Sequence, residues 1–130
     1  MNALLVLAAL VGWAVACPPK QVSFDGGCLA LHNAGSRIDH TEAARICREH
    51  GAMLASIKGR SAENVARSLW RTNHGASMAY VGGEKDGKPL AFIKRLSKVG
   101  ILPKGSYVRH AICHVKPGTA IAALLDTILS

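Results

Sequence analysis

The stretch DHTEAARICREHGAMLASIKGRSAENVARSLW, residues 39–70, decides the fold of this chain. Asp39 is followed three residues later by Glu42, and this spacing is a capping box that predicts the start of a helix. Four side chains then recur at helical spacing: Ala43, Ile46, Cys47 and His50. This periodicity predicts that Cys47 faces the core. Gly51 follows directly and suits the left-handed conformation that often ends a helix.

The rest of the stretch predicts a short strand and a second helix. Residues 53–57 form an apolar run of strand length. Ser61 can cap the second helix, with Glu63 in the first turn, where a carboxylate offsets the helix dipole. Two i,i+4 pairs support this helix: Val65 with Leu69, and Ala66 with Trp70.

This helix–strand–helix pattern resembles the N-terminal half of the C-type lectin-like domain. That family has an alanine and a cysteine on its first helix, then a Gly-Ala-x-Leu-Ala-x-Ile run, then a Glu-Asn pair. The counterparts in this chain are Ala43, Ala44 and Cys47, the run 51–57, and Glu63-Asn64. Weaker matches lie at residues 80–83 and 111–113, so the resemblance spans residues 17–115. It implies an α+β fold, in which two helices pack on a small, mostly antiparallel sheet.

The two ends of the chain are apolar and predict separate segments. Residues 1–16 carry no charged side chain and end in a small-x-small pattern before Cys17, which predicts a secretory signal peptide. The alternative is a bacterial lipoprotein signal with lipid on Cys17, which Ala14 fits poorly. Residues 17–116 would then form one C-type lectin-like domain. Residues 117–130 would form an apolar tail that is packed, partly disordered or part of a lipid-anchor signal.

The four cysteines permit three disulfide pairings in a secreted domain. Residues 21–24 and 28–31 have the pattern of two strands around an Asp-Gly-Gly turn, which favours a bond between Cys17 and Cys28. That leaves Cys47 with Cys113, a bond that would tie the first helix to the last strand. The resemblance implies the same two disulfides.

Cysteine and histidine occur together at residues 47–50 and 110–114, and these could be assembled into a two-Cys, two-His zinc site. The simpler interpretation is that the thiols are bonded in an oxidising compartment. Strand alternation also places His110 and His114 on the face opposite Cys113. We therefore predict no metal site.

The eight carboxylates contain no pair suited to acid–base catalysis, and no nucleophile or phosphate-binding motif occurs. We therefore predict no cofactor and no enzymatic activity. The calcium-binding triplets of the family's sugar-binding members, Glu-Pro-Asn or Gln-Pro-Asp and Trp-Asn-Asp, are missing from this sequence. After Asp86 the next carboxylate is Asp126, whereas calcium takes about six to eight oxygen ligands. Binding is therefore expected to be independent of calcium.

The formal net charge of +8 is concentrated in residues 88–109, which include six basic side chains and no acidic one. The resemblance places the family's long ligand loop at residues 94–106. Five side chains are therefore predicted to bind ligand: Lys94, Arg95, Lys98, Lys104 and Arg109. A cationic loop favours anionic partners, namely acidic glycans, lipid headgroups or acidic proteins. Nucleic acid is disfavoured, because 5% aromatic residues offer few stacking platforms.

These patterns predict a secreted, extracellular recognition module that binds an anionic glycan or a protein ligand through a basic loop. Two other classes stay open: a cationic, membrane-active defence protein, and a structural or protein-interaction module of an extracellular matrix or secretion. The alternative for the loop itself is that its lysines only aid solubility. Salt-sensitive binding to heparin-like columns would favour the first class, and leakage of anionic vesicles would favour the second.

Overall fold

The computed structural model describes residues 17–116 and the single residue Ile128. The predicted signal peptide and, apart from Ile128, the predicted tail lie outside the described residues. Within the described part, the helices are α1 (His40–Glu49) and α2 (Arg60–Ser68). The strands are β1 (Val22–Phe24), β2 (Gly27–Asn33), β3 (Met53–Leu54), β4 (Met78–Lys85), β5 (Lys88–Ile93), β6 (Lys98–Ile101) and β7 (His110–Val115). Two 3₁₀ turns occupy Leu69–Arg71 and Lys94–Leu96.

The last strand lies near the middle of one sheet with the order β1-β2-β7-β4-β5-β6. The short strand β3 also pairs with β7. All pairings between the described strands are antiparallel except that of β4 with β7, which is parallel. One core cluster contains apolar side chains of α2, and a second contains those of α1. The predicted α+β fold of two helices on a mostly antiparallel sheet is confirmed.

Helix α1 forms as its sequence predicts. The Asp39 Oδ1 accepts a hydrogen bond from the Glu42 amide at 2.8 Å, and the Glu42 carboxylate accepts one from the Asp39 amide at 3.3 Å. This is the reciprocal capping box. Ala43 and Cys47 are fully buried on the inward face. Gly51, with φ of +68°, ends the helix in the left-handed region.

Both predicted disulfides are present, Cys17–Cys28 and Cys47–Cys113, with Cα atoms 5.7 Å and 5.3 Å apart. The first lies beside the hairpin of β1 and β2. The hairpin turn is formed by Asp25 and Gly26, both with positive φ, and Gly27 already belongs to β2. The second joins α1 to β7.

The predicted cap of α2 is wrong. The helix begins at Arg60 after Gly59, and no side chain caps it. Ser61 is already inside the first turn, so its hydroxyl does not occupy the N-cap position. Glu63 does lie in the first turn, as predicted. One of its carboxylate oxygens accepts a hydrogen bond from the Val99 amide at 2.8 Å, which ties α2 to β6.

The predicted strand at residues 53–57 is only two residues long, because the backbone of Ala55 hydrogen-bonds to two other strands, β7 and β4. The Ala55 amide donates to the Ile112 carbonyl at 2.9 Å, and the Ala55 carbonyl accepts from the Gly82 amide at 2.8 Å. A Cβ at Gly82 would lie 3.1 Å from the Leu54 carbonyl oxygen, so glycine permits this close approach. The parallel pairing of β4 with β7 is correspondingly limited to Tyr80 opposite Ala111.

The structure of residues 94–106 also differs from the single ligand loop that was predicted there. Its first half folds into the 3₁₀ turn Lys94–Leu96 and the strand β6, which pairs antiparallel with β5. Ser97, with φ of +50°, lies between the 3₁₀ turn and β6, and its left-handed conformation reverses the chain direction there. The remaining loop, residues 102–109, connects β6 to β7. The basic side chains therefore sit on three kinds of local structure instead of one loop.

Candidate functional site

The first cleft of interest lies where the 3₁₀ turn after β5 meets the end of α2. It has a volume of about 500 Å³, and Lys94, Arg95 and Arg67 line it together with residues 75–77. A hydrogen bond from the Lys94 amide to the Ser77 carbonyl, 3.0 Å long, holds the turn against that segment. Arg67 and Arg95 are exposed, and Lys94 is half-buried. Three cationic side chains thus converge on one open cleft.

A second, smaller cleft lies on the other side of the same segment. It has a volume of about 210 Å³ and is lined by Tyr107, Arg109 and His110 as well as residues 75–77. His110 is buried, and burial, followed by the nearby Arg109 charge, lowers the pKa of its imidazole. A lowered pKa keeps this ring neutral at neutral pH, so Arg109 supplies the positive charge of the second cleft.

The five predicted ligand residues are only partly brought together. Lys94 and Arg95 share the first cleft, and Arg109 lines the second. Lys98 begins β6 opposite Ile93, next to the first cleft along the chain. Lys104 lies in a turn in which the Ser106 amide donates to the Pro103 carbonyl, and it lines neither cleft.

The sequence reasoning missed Arg67, although a signal was present. Arg60, Arg67 and Arg71 are spaced by seven and four residues, which places them on one stripe of a helix. The opposite stripe contains Ala66 and Leu69, both fully buried, so the arginines must face outward. Only the fold, however, brings Arg67 to the turn after β5.

None of the cations of the two clefts forms a salt bridge in the described part of the chain. The one salt bridge among those residues joins Arg45 to Glu49 on α1. The charges of Lys94, Arg95 and Arg67 therefore add together, and none of the three is paired in a salt bridge among the described residues. Such a group of fixed positive charges attracts anions.

The zinc arrangement considered from the sequence does not assemble. Cys47 and Cys113 are bonded to each other, so their sulfurs are not thiolate ligands. The His114 ring is directed toward β1, where its Nε2–H donates to the Phe24 carbonyl at 3.0 Å. Within residues 17–116, no three His, Cys, Asp or Glu side chains are grouped as metal ligands.

No protein-family model matches the sequence, and no curated protein matches it significantly. Solved structures do match. Human lithostathine superposes with a TM-score of 0.61 at 12% identity, covering 81% of this chain and 94% of that one. Botrocetin gives 0.56 at 20% identity, covering 78% and 99%. The C-type carbohydrate-recognition domain of cow CD23 gives 0.54 at 16% identity, covering 76% and 95%.

The chain has the C-type lectin-like fold. The likeness covers nearly the whole of each compared chain. In this chain the fold consists of the two helices, the sheet and the two disulfides described above. At these identities the likeness establishes the fold alone. No helix among the described residues is both long and apolar enough to cross a bilayer.

Proposed function

We propose that this protein is a secreted, non-enzymatic recognition module that binds acidic glycans through the basic surface around the two clefts. The observation that carries the proposal is the first cleft, where Lys94, Arg95 and Arg67 converge and none of them forms a salt bridge within the described residues. Sulfates and uronic acid carboxylates are anions that arginine can bind with two parallel hydrogen bonds. The volume of about 500 Å³ falls in the range of ligand pockets, roughly 300–1,000 Å³.

Secretion is supported by two features of the chain. Residues 1–16 have the composition of a signal peptide. The four cysteines form two disulfides, which persist in oxidising compartments. Independence of calcium is supported by the missing calcium-binding triplets and by the lack of carboxylates between Asp86 and Asp126.

The compared structures support a recognition role, with either a glycan or a protein as the ligand. The cow CD23 domain was solved in the presence of a GlcNAc2Man3 oligosaccharide, and botrocetin was solved in complex with a von Willebrand factor A1 domain. A glycan is preferred for this chain because its distinctive surface is a cationic cleft instead of a large apolar patch. An acidic protein ligand is the alternative occupant of the same surface.

A second candidate function is binding to an anionic membrane surface. Leu96 is 53% exposed and belongs to the same 3₁₀ turn as Lys94 and Arg95. An apolar side chain between cations is suited to a lipid headgroup layer. Leakage of vesicles containing anionic lipid would support this candidate, and binding to soluble glycan without leakage would support the first.

The proposal is tested by reversing the charge of the first cleft. Lys94→Glu with Arg95→Glu should weaken binding to a heparin oligosaccharide about tenfold or more, which corresponds to about 1.4 kcal/mol. The matched control is Lys85→Glu with Lys88→Glu, at the turn between β4 and β5, where both side chains are exposed. It makes the same change in net charge but leaves the cleft intact.

The measurement is a titration at several salt concentrations, because exposed charges lose attraction as the screening length falls from about 10 Å at 0.1 M to about 3 Å at 1 M. Wild-type protein and the control pair should show the same affinity and the same salt dependence. If the cleft pair folds and binds as tightly as the control pair, the attraction is due to net charge and the cleft is not the site.

A further inference from the structure

A second group of side chains meets on the surface at the rim of the second cleft. Tyr107 is 55% exposed, although it is a large aromatic residue. The guanidinium carbons of Arg37 and Arg109 lie 5.9 Å and 5.8 Å from the centre of its ring. Both distances are within the range of cation–π contact, about 6 Å. We call these three residues the Tyr107 platform.

The backbone fixes the platform in place. The Ala34 amide donates to the Arg109 carbonyl at 2.8 Å, and the Ile38 amide donates to the Val108 carbonyl at 2.9 Å. The loop before α1 is therefore held beside the loop before β7. This pairing brings Arg37 next to Tyr107 although they lie far apart in the chain.

Burial of the neighbouring side chains determines which way the platform faces. Ile38 and Val108 point into the core, with 6% and 2% of their surface exposed. Arg37 precedes Ile38, and Tyr107 and Arg109 flank Val108. Since successive side chains of extended segments alternate in direction, the three platform residues face solvent. Their exposure thus follows from the packing beneath them.

The tyrosine ring is left accessible by both arginines. Both guanidinium carbons lie over the ring at 5.8–5.9 Å from its centroid, and Tyr107 still exposes 55% of its surface. Neither arginine forms a salt bridge within the described residues, where the one such pair is Arg45 with Glu49. The platform therefore offers an exposed aromatic side chain beside two cations that form no salt bridge within the described residues.

We propose that the Tyr107 platform is a subsite for one acidic sugar ring. The ring would pack its C–H face on Tyr107, as an apolar surface packs on an aromatic side chain. Its carboxylate or sulfate would accept hydrogen bonds from Arg37 and Arg109. This inference rests on the proposed function, because it assigns a specific sugar contact to the same glycan-binding surface.

The location of the platform also specifies the form of the glycan. Residues 75–77 line both clefts, and Tyr107 and Arg109 line the second of them. One chain that passes over this segment would place acidic groups on the platform and in the first cleft. The preferred ligand is therefore an acidic oligosaccharide with several charged sugars, and a single acidic monosaccharide should bind much more weakly.

The experiment compares four variants for binding to a size-defined heparin oligosaccharide. Tyr107→Ala should weaken binding about tenfold without changing the salt dependence, because it removes contact area but no charge. Tyr107→Phe should bind like wild type, since the ring is kept. Arg37→Gln should weaken binding and also reduce the salt dependence. Arg48→Gln is the matched control, an exposed arginine on α1 that lines neither cleft.

Saturation-transfer NMR supplies an independent readout. Irradiating aromatic protons should transfer magnetisation to sugar ring protons in wild type and Tyr107→Phe, and the transfer should be reduced in Tyr107→Ala. The other described aromatic side chains that line the core, such as Trp70 and Phe92, are buried and do not contact a surface ligand.

The outcomes separate the two proposals. If Tyr107→Ala lowers the melting temperature but binds with wild-type affinity, the tyrosine only packs its loop and the platform is refuted. If that result accompanies a loss of binding in Lys94→Glu with Arg95→Glu, the glycan-binding function stands and only the subsite is wrong. If wild-type protein does not bind the oligosaccharide at all, both proposals fail.

Discussion

Two regions of the molecule share one sheet but are stabilised differently. The first consists of β2 and β7 with the helix α1 that packs on them, and the second is the basic region from Lys94 to Arg109. The first has a capped helix, a disulfide with both sulfurs fully buried, and the centre of the sheet. The second lies mainly at the β6 edge, with exposed cations. We call them the braced region and the basic region.

This difference shows how a small domain separates stability from binding. The braced region buries its defining side chains, so their replacement changes the free energy of unfolding. The basic region exposes its defining side chains, so their replacement should change affinity and leave stability nearly unaltered. The hydrogen bond from the Val99 amide to Glu63 is one of the contacts that hold the basic region to the rest of the domain.

The largest expected effect comes from removing the buried disulfide of the braced region. Replacing Cys47 and Cys113 with alanine should lower the free energy of unfolding by roughly 2–5 kcal/mol, the usual loss for a small secreted domain. This bond spans 66 residues, whereas Cys17–Cys28 spans 11. The chain-entropy model gives about 4 kcal/mol for the long span and about 3 kcal/mol for the short one.

Urea unfolding of the two double variants checks this order. Peptide mapping of the non-reduced protein should first link Cys17 to Cys28 and Cys47 to Cys113. A bond between Cys28 and Cys47 would contradict the pairing. Greater destabilisation by loss of the short-span disulfide would contradict the order that the chain-entropy model gives.

The next effect compares the two helix starts. Asp39→Ala should cost about 1 kcal/mol, because the Asp39 side chain accepts a hydrogen bond from the Glu42 amide at the start of α1. Ser61→Ala should change stability by less than about 0.5 kcal/mol, because α2 has no side-chain cap. Thermal unfolding measures both variants, and equal losses would mean that Ser61 has a capping role after all.

These two helix starts also show what local sequence can reveal. The capping box at Asp39 and the turn at Asp25 and Gly26 depend on neighbouring residues, so the sequence predicted them correctly. The predicted cap at Ser61 was wrong because the helix begins two residues earlier than that cap implies, with Gly59 at the cap position. The strand at residues 53–57 failed because Ala55 bonds to two distant strands, which only the fold determines.

The candidate site was less predictable for a related reason. Its charge was visible in the sequence as a run of basic residues without acids. Its geometry was not, because Arg67 comes from α2 and Arg37 from the loop before α1. The residues in each group lie far apart in the chain and become neighbours only when the sheet forms. The family resemblance also placed a loop where this chain forms β6.

Acidification should weaken the braced region by a smaller amount. The rings of His32 on β2 and His50 at the end of α1 stack with centroids 4.0 Å apart. Burial and, secondly, the His50 ring lower the pKa of His32 from its usual value of 6.5. His32 and His50 line a third cleft together with Glu42, Arg45 and Glu49, and Glu49 is paired with Arg45.

The sign follows from which state takes up the proton. As pH falls below about 6.5, the unfolded chain protonates His32 more readily than the folded protein does, so stability decreases. His110, whose pKa is also lowered, acts in the same direction. Unfolding measured from pH 7.5 to pH 5 should show this loss, and His32→Asn should reduce it. An unchanged pH dependence in that variant would show that the stacked pair does not contribute.

The smallest expected effect is that of calcium on the basic region, where we expect none. A calcium site of about 1 mM dissociation constant, typical of weak extracellular modules, would be stabilised in 10 mM calcium by about 1.4 kcal/mol. For a domain of this size that would raise the melting temperature by roughly 5 °C or more. Because residues 88–109 contain no carboxylate, the melting temperature and the affinity for a heparin oligosaccharide should be the same in calcium and in chelator. Magnesium at equal ionic strength is the control, because it screens charges to the same extent without supplying calcium. A rise that is specific to calcium would place a calcium site in this fold, and glycan binding lost in chelator would place it in the ligand-binding surface.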